Sequence, residues 1–147
     1  MRLALLVALA IGLTGCTSIY HRTQSRLPTE PAAELALRLD EARKSRTLAE
    51  QAAAKLHDNL RRDRSGVTIE AGFDRLEAAG YELERRALAV SDTAERLGQS
   101  ADASVEIAQL MGQAQTWLDF VRSSRTAEVP VQLRELESLL DVVRGKR

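Results

Sequence analysis

The chain has 147 residues, enough for one small domain, and its 21 Lys and Arg balance 21 Asp and Glu to a formal net charge of zero. This balance argues against a general nucleic-acid binder, because contacts to phosphates need an excess of basic residues. Only two Phe, two Tyr and one Trp are present. The core must therefore consist of Leu, Ala and Val, and this composition favours helix.

The N-terminal segment has the layout of a secretory signal peptide. Arg2 gives a positive start, and residues 3–13 are apolar apart from Gly12. Crossing a bilayer as a permanent helix takes about 20 apolar residues, so this run is too short. A charged start, a short apolar core and small residues before the cleavage site predict a signal peptide over residues 1–15 that is cleaved.

The tetrapeptide Leu13-Thr14-Gly15-Cys16 closes this signal and resembles the lipobox of bacterial lipoproteins. The resemblance implies cleavage between Gly15 and Cys16, a diacylglyceryl thioether on Cys16 and a fatty amide on its new N-terminus. Cys16 is the only cysteine, so a disulfide within the chain is excluded. Two or three acyl chains are expected to anchor the protein stably in a membrane, whereas one chain holds only marginally.

Thr17 stands where lipoproteins retained in the inner membrane often carry Asp. By analogy with that sorting rule, we expect the periplasmic face of the outer membrane, with the inner membrane or the cell surface as alternatives. Residues 16–29 are polar and lack periodicity, so they predict a lipidated N-terminus and tether. Residues 30–147 form the predicted helical domain.

The first predicted helix begins near Pro31, which suits a first helical turn. Residues 61–66 interrupt its pattern, with Gly66 expected to supply the turn. One position of its apolar stripe is occupied by Arg46, whose guanidinium we expect to reach Glu50 and Glu84. The stripe has heptad spacing and consists of Leu35, Leu39, Ala42, Arg46, Ala49, Ala53, Leu56 and Leu60.

The second predicted helix begins at Thr68 as its N-cap and ends at Gly98. Its stripe has no charged interruption and consists of Ile69, Phe73, Leu76, Gly80, Leu83, Ala87, Val90, Ala94 and Leu97.

Two shorter helices follow. The third is capped by Ser100 or Asp102, and the fourth starts at Pro130 and ends at Gly145. The third carries Ile107, Leu110, Met111, Ala114, Trp117, Leu118 and Val121, and the fourth carries Val129, Leu133, Leu136, Leu139, Leu140 and Val143.

Four amphipathic helices with short connections predict an all-α fold, an antiparallel bundle of two long and two shorter helices. A hairpin of the first two helices pairs Leu56 with Phe73, Ala49 with Gly80, and Ala42 with Ala87. Gly80 costs about 1 kcal/mol of helix propensity against alanine. We therefore expect a close crossing with the first helix at Ala49.

Tyr81 and Leu88 share a face of the second helix roughly opposite its stripe. One alternative is that the two shorter helices cover them. The other is that they form an exposed strip for a partner. Coverage is the favoured prediction, because the shorter helices have wide apolar faces that need burial.

Motifs of catalysis and metal binding are not found in the sequence. His21 and His57 lack Cys or carboxylate neighbours at zinc spacing, and His57 is expected on a solvated face. Ser123-Ser124 fits helix-end capping, and neither a nucleophile elbow nor a phosphate loop occurs. We expect no enzyme, no metal and no cofactor beyond the lipid on Cys16. Lys146 suggests a peptidoglycan linkage, but Arg147 follows it and blocks a strict terminal-lysine attachment.

A second resemblance rests on Leu39-Asp40-Glu41-Ala42-Arg43 and on Phe73-x-x-Leu76 with Glu84-x-Arg86-Ala87-x-x-Val90. These residues resemble an uncharacterised family of proteobacterial coiled-coil lipoproteins over Leu39 to Leu97. The resemblance implies a lipid anchor and a helical fold, and it supplies no activity.

The expected function is that of a non-catalytic envelope module acting by contact with an unidentified protein or as a spacer. The alternatives are a peptidoglycan-associated tether and a bundle that binds a small apolar ligand in an enclosed cavity.

Overall fold

A computed structural model describes residues 30–62 and 64–145. The chain divides into two compact units, Met1–Glu34 and Leu35–Arg147. Of the first unit, residues 30–34 are described, and they contain the start of the first helix. The predictions for Gly15, Cys16, the tether 16–29 and Lys146 lie outside the described residues.

Four α-helices account for nearly all of the described chain, and its described part contains no strand. They are α1 (Pro31–Arg61), α2 (Gly66–Arg96), α3 (Ser100–Ser124) and α4 (Val129–Val143). The predicted all-α class, with two long and two shorter helices, is confirmed.

The start of α2 differs from the prediction. Gly66 is the first helical residue rather than a turn residue, and Ser65 rather than Thr68 is the N-cap. The Ser65 carbonyl accepts hydrogen bonds from the backbone N–H groups of Thr68 and Ile69, at 2.9 and 3.1 Å. The two hydroxyl oxygens of Ser65 and Thr68 lie 3.0 Å apart. The chain therefore enters the helix three residues earlier than predicted.

The ends of α2 and α4 agree with the prediction. Gly98 and Gly145 follow these helices with φ of +68° and +66°. A positive φ is the left-handed conformation that glycine adopts without a Cβ penalty, and it is common just past a helix.

Helices α1 and α2 pair as an antiparallel hairpin within one residue of the predicted register. Leu56 lies against Gly72, where Phe73 was expected. Further along, a nitrogen of Arg86 lies 2.9 Å from a carboxylate oxygen of Glu41. The pairing follows from burying both apolar stripes against each other.

Gly80 does mark a close helix crossing, but the predicted partner is wrong. A Cβ built on Gly80 would lie 3.0 Å from Cδ2 of Leu118 and 3.7 Å from Cβ of Trp117. Both residues belong to α3, whereas the prediction placed Ala49 of α1 there. Helix α2 packs on both α1 and α3, and the missing side chain at Gly80 allows α3 to approach closely.

At one position of the α1 stripe, the buried residue is Ser45 and not the predicted Arg46. Ser45 is buried, with 6% of its surface exposed, while 39% of the Arg46 side chain remains accessible. Burying a guanidinium without full pairing is costly, so the small hydroxyl takes the inner position. The Arg46 Nε lies 3.8 Å from Glu50, as predicted. Glu84 instead accepts a 2.7 Å hydrogen bond from Gln115, so its predicted pairing with Arg46 is wrong.

The α2 stripe is buried where it was predicted, with Ile69 and Leu97 partly buried at its two ends. In α3, Leu110 and Trp117 lie deeper than the predicted Ile107 and Met111, which are partly buried. The largest buried apolar side chains are Trp117, Phe73, Leu56, Leu76, Leu83, Leu110, Leu136 and Val90.

Candidate functional site

The proposed partner strip on α2 is exposed. Tyr81 and Leu88 keep 52% and 49% of their surfaces accessible, so the favoured prediction that α3 and α4 cover them is wrong. The α2–α3 register explains this. Gly80 turns towards α3, and Tyr81, the next residue, lies about 100° further round the helix. The structure shows the alternative arrangement, in which Tyr81 and Leu88 form an exposed strip.

Tyr81 borders a shallow cleft of about 180 Å³ between α2 and the end of α3. The cleft is lined by both apolar and charged groups: Glu77, Tyr81, Leu118, Val121, Arg122, Arg125 and Thr126. The strip therefore combines a half-exposed apolar surface with cationic and anionic neighbours.

Arg125 forms a charge cluster that the sequence did not reveal. Its guanidinium lies 3.2 Å from Glu70, 3.0 Å from Asp74 and 3.1 Å from Glu77, all on α2. The same group lies 5.9 Å from the centre of the Phe73 ring, a cation–π distance. The cluster ties the loop after α3 to the first half of α2.

A second charge network joins α1 to α2. The Arg86 guanidinium donates to Glu41 at 2.9 Å and to Glu82 at 2.7 Å, and Glu41 also accepts from Arg38. Hydrogen bonds from Arg86 and Arg85 lower the pKa of Glu82. The hydrogen bond to Glu82 likewise raises the pKa of Arg86. The pairs of Glu82 with Arg85 and Arg86 lie within α2, and the pair between Arg86 and Glu41 links α2 to α1.

An ion pair also crosses from α1 to α3. Arg43 donates two hydrogen bonds to the carboxylate of Glu106, at 2.6 and 2.9 Å. The hydrogen bond to Glu106 raises the pKa of Arg43. A bidentate pair of this kind favours one geometry, and it links α1 to α3 at the surface of the bundle.

His57 is not on a solvated face, contrary to the prediction. Its side chain is 21% exposed, and Nε2 lies 3.0 Å from a carboxylate oxygen of Glu137 on α4. Its position beside Ala54, Leu140, Asp141 and Arg144 makes it part of the α1–α4 contact.

Ser124 takes a packing role at the end of α3. It is fully buried, and its hydroxyl donates to the carboxylate of Glu135 on α4. Ser123 donates to the carbonyl of Phe120 at 3.3 Å, which agrees with the predicted helix-end chemistry. The neighbouring cleft of about 470 Å³ is lined by Thr116, Asp119, Phe120, Ser123, Glu135, Ser138 and Leu139.

Metal-binding clusters and membrane-spanning helices are both absent from the part of the chain that the structure describes. Among residues 30–62 and 64–145, no group of three or more His, Cys, Asp or Glu side chains is placed to hold a metal ion. None of the helices described over the same ranges has both the length and the apolarity to cross a membrane.

The chain was compared with known proteins at three levels. No protein-family model matches it, and neither a curated protein nor a solved structure gives a match. The functional assignment therefore depends on the residues themselves.

Proposed function

We propose that the chain is a lipid-anchored envelope protein whose helical bundle is held at the periplasmic face of the outer membrane by a lipid on Cys16. The observation that carries this proposal is Leu13-Thr14-Gly15-Cys16 directly after the apolar run 3–13. The Cys16 thiol is the nucleophile that lipid transfer requires, and the small Gly15 leaves room for the peptidase. Removal of residues 1–15 then leaves Cys16 as the N-terminus.

The bundle works by contact with another protein and carries out no catalysis. Support for this role comes from Tyr81 and Leu88, which are half exposed and seven residues apart on one face of α2. A Tyr and a Leu at this spacing offer an apolar strip of the kind that an amphipathic partner helix recognises. The Arg125 cluster and the α1–α2 network hold the helices that present the strip.

Metabolic labelling tests the anchor. Cells fed an alkyne analogue of palmitate should yield a labelled wild-type chain and an unlabelled Cys16→Ser chain. The variant is a strict control, because Cys16 is the only cysteine in the sequence. An unlabelled wild-type chain would overturn the proposal, and so would a label that survives the substitution.

Membrane fractionation tests the location. On a sucrose gradient, the wild-type chain should sediment with outer-membrane markers. Thr17→Asp should move it to the inner-membrane fractions, with Thr23→Asp as a control of equal charge that leaves it in place. A wild-type chain found in the inner membrane would contradict the location and leave the lipid anchor intact.

Site-specific photocrosslinking in intact cells tests the contact role. A benzophenone amino acid at position 81 or 88 should give a discrete crosslinked species. Position 142 on α4 is the matched control, because Val142 is 55% exposed and lies outside the strip. Equal crosslinking from all three positions would argue against a dedicated partner face.

A further inference from the structure

The exposed strip on α2 is flanked mainly by carboxylates. Residues three and four positions apart share a helix face. The charged residues at these spacings from Tyr81 and Leu88 are Glu77, Glu84, Arg85 and Asp92. Three of these four side chains are acidic. We call Tyr81, Glu84, Leu88 and Asp92 the acidic strip.

The two carboxylates of the acidic strip are not neutralised within the described part of the chain. Glu84 accepts a 2.7 Å hydrogen bond from the neutral side-chain amide of Gln115, and Asp92 is exposed. No cation among the described residues lies within ion-pair distance of either carboxylate. Arg85, the cation on the same face, is bound to Glu82 by hydrogen bonds of 2.7–2.9 Å. The strip therefore keeps a local negative charge.

The two helices that surround the acidic strip carry charge of the same sign. Residues 66–125 contain α2, α3 and Arg125, and they hold ten Asp and Glu against six Arg, with no Lys or His. This is an excess of four negative charges. Arg43 of α1 offsets one of them through its pair with Glu106, so three remain. No basic residue occurs between Leu97 and Val121, the part of the chain that forms most of α3.

The packing of α3 leaves room beside the acidic strip. Gly80 faces Leu118, and Glu84 bonds to Gln115, so α3 runs antiparallel to α2 and its first half lies beside the second half of α2. Ala108 lies two helical turns before Gln115 and thus on the same face of α3. Its side chain is small and exposed. An elongated partner can therefore lie along α2 without a clash from α3.

The net charge selects among the possible partners. A second copy of the chain would bring two surfaces of the same net charge together, and like charges across an interface oppose association. A partner with basic groups beside its apolar side chains would instead gain from the unpaired carboxylates.

We propose that the acidic strip binds a cationic amphipathic helix of a partner protein. This inference rests on the proposed contact role of Tyr81 and Leu88, and it adds the chemistry of the partner. The two apolar side chains are two helical turns apart on α2, so they match a helix whose own apolar residues recur every three or four positions. Lys or Arg beside that apolar face lies against Glu84 and Asp92. Complementary charge of this kind favours the right partner and speeds its association.

Binding of two synthetic helical peptides tests the sign of the charge. One peptide has a Leu face and Lys elsewhere, and the other has Glu in place of Lys. Fluorescence anisotropy with the full chain carrying Cys16→Ser should show tighter binding of the Lys peptide. Glu84→Gln with Asp92→Asn should weaken that binding about threefold to tenfold, since an exposed charge pair contributes up to roughly fivefold. The control is Asp40→Asn with Asp141→Asn, which removes two exposed carboxylates outside the strip.

The apolar part of the acidic strip is tested in the same assay. Tyr81→Ser with Leu88→Ser should weaken binding of the Lys peptide, whereas Leu48→Ser with Val142→Ser should not, although these two side chains are 58% and 55% exposed. Circular dichroism checks that all variants stay helical. Equal binding of the two peptides, equal loss in a variant and its control, or no binding would each overturn the proposal.

Photocrosslinking from position 88 in intact cells separates this inference from the contact role itself. Adding Glu84→Gln with Asp92→Asn should reduce the crosslinked species, and adding Asp40→Asn with Asp141→Asn should leave it unchanged. If the species persists at full yield in the first variant, the cationic partner is excluded while the contact role stands. A species of twice the mass of the chain would identify a second copy and would also overturn the inference. The absence of any crosslink from position 88 would overturn both.

Discussion

Helices α2 and α4 are stabilised in different ways. Helix α2 has 31 residues, and nine of them are buried between α1 and α3. Helix α4 has 15 residues and buries Gln132, Leu136 and Leu140. Helix α2 is the central helix of the bundle, whereas α4 packs against the other helices with only three buried residues. Most helical stability in proteins comes from packing an apolar face, so the two helices should differ in local stability.

Polar contacts compensate for the small buried area of α4. The Gln132 side-chain amide donates to the carbonyls of Ser124 and Arg125, at 2.9 and 3.1 Å. Glu135 accepts from the Ser124 hydroxyl, and Glu137 lies 3.0 Å from His57. The net contribution of a hydrogen bond to stability is small, because water can replace either partner once the contact opens. We therefore expect α4 to open locally while α2 unfolds only with the whole bundle.

Leu83→Ala should have the largest effect. Leu83 is fully buried in α2, and removing a buried leucine side chain typically costs about 2–5 kcal/mol. Urea denaturation followed by circular dichroism should show one transition at a lower midpoint. Leu88→Ala on the same helix is the control, since a half-exposed leucine should cost about 0.5 kcal/mol or less. Equal midpoints for the two variants would mean that α2 is not the central helix.

Gln132→Ala should destabilise α4 alone. The substitution leaves the carbonyls of Ser124 and Arg125 without this donor, a loss of about 1–2 kcal/mol. We expect the smaller figure, because Oε1 of Gln132 is itself buried without a partner. Hydrogen exchange should accelerate at α4 amides and stay unchanged in α2. The exposed Gln109→Ala should alter neither region, and uniform acceleration across all helices would refute the local opening.

The α2 stripe was predictable residue by residue, because a run of apolar positions without a charge has only one way to face a core. The α1 stripe was ambiguous where Ser45 and Arg46 adjoin, since periodicity alone does not measure the desolvation of a guanidinium. Spacing also identified Gly80 as a close crossing without identifying its neighbour. The partner helix depends on tertiary packing, which no local pattern encodes.

The charge clusters could not be predicted from the sequence, for a related reason. Arg125 sits 51 residues from Asp74 along the chain, and their contact depends on the α2–α3 register. Likewise, the exposure of Tyr81 depends on which side of α2 receives α3. By contrast, the lipobox proposed at Leu13-Thr14-Gly15-Cys16 is a contiguous motif, so the sequence alone is enough to propose it.

Two glycine substitutions should change stability in opposite directions. Gly112 is exposed in α3, and a Cβ there meets nothing within 4 Å. Gly112→Ala should therefore stabilise the bundle by about 0.5–1 kcal/mol through helix propensity. A Cβ at Gly80 would lie 3.0 and 3.1 Å from two Leu118 atoms, so Gly80→Ala should destabilise by about 1 kcal/mol as Leu118 shifts. Urea midpoints that move in the same direction would contradict the close α2–α3 crossing.

Acid should weaken the α1–α2 network through Glu82. Its pKa is lowered from the ordinary 4.5 by hydrogen bonds from Arg86 and Arg85. The stabilisation is therefore complete above pH 4.5 and is lost as the pH falls through the lowered value. The effect should stay below about 1 kcal/mol, because the pair is partly exposed and screened. Glu82→Gln should flatten the pH dependence of the unfolding free energy in this window, whereas Asp92→Asn should not.

Arg46→Leu should have the smallest effect, and its sign tests the position of Arg46 at the edge of the α1 stripe. The guanidinium lies 3.8 Å from Glu50 and remains 39% exposed, a geometry worth about 0–1 kcal/mol. A leucine there extends the apolar edge beside Ala49 and loses only this weak pair, so the melting temperature should stay unchanged or rise. Arg86→Leu is the informative contrast, since Arg86 binds carboxylates on two helices at 2.7 and 2.9 Å. If Arg46→Leu lowered the melting temperature as much as Arg86→Leu, Arg46 would have to take part in the packing that the structure assigns to Ser45.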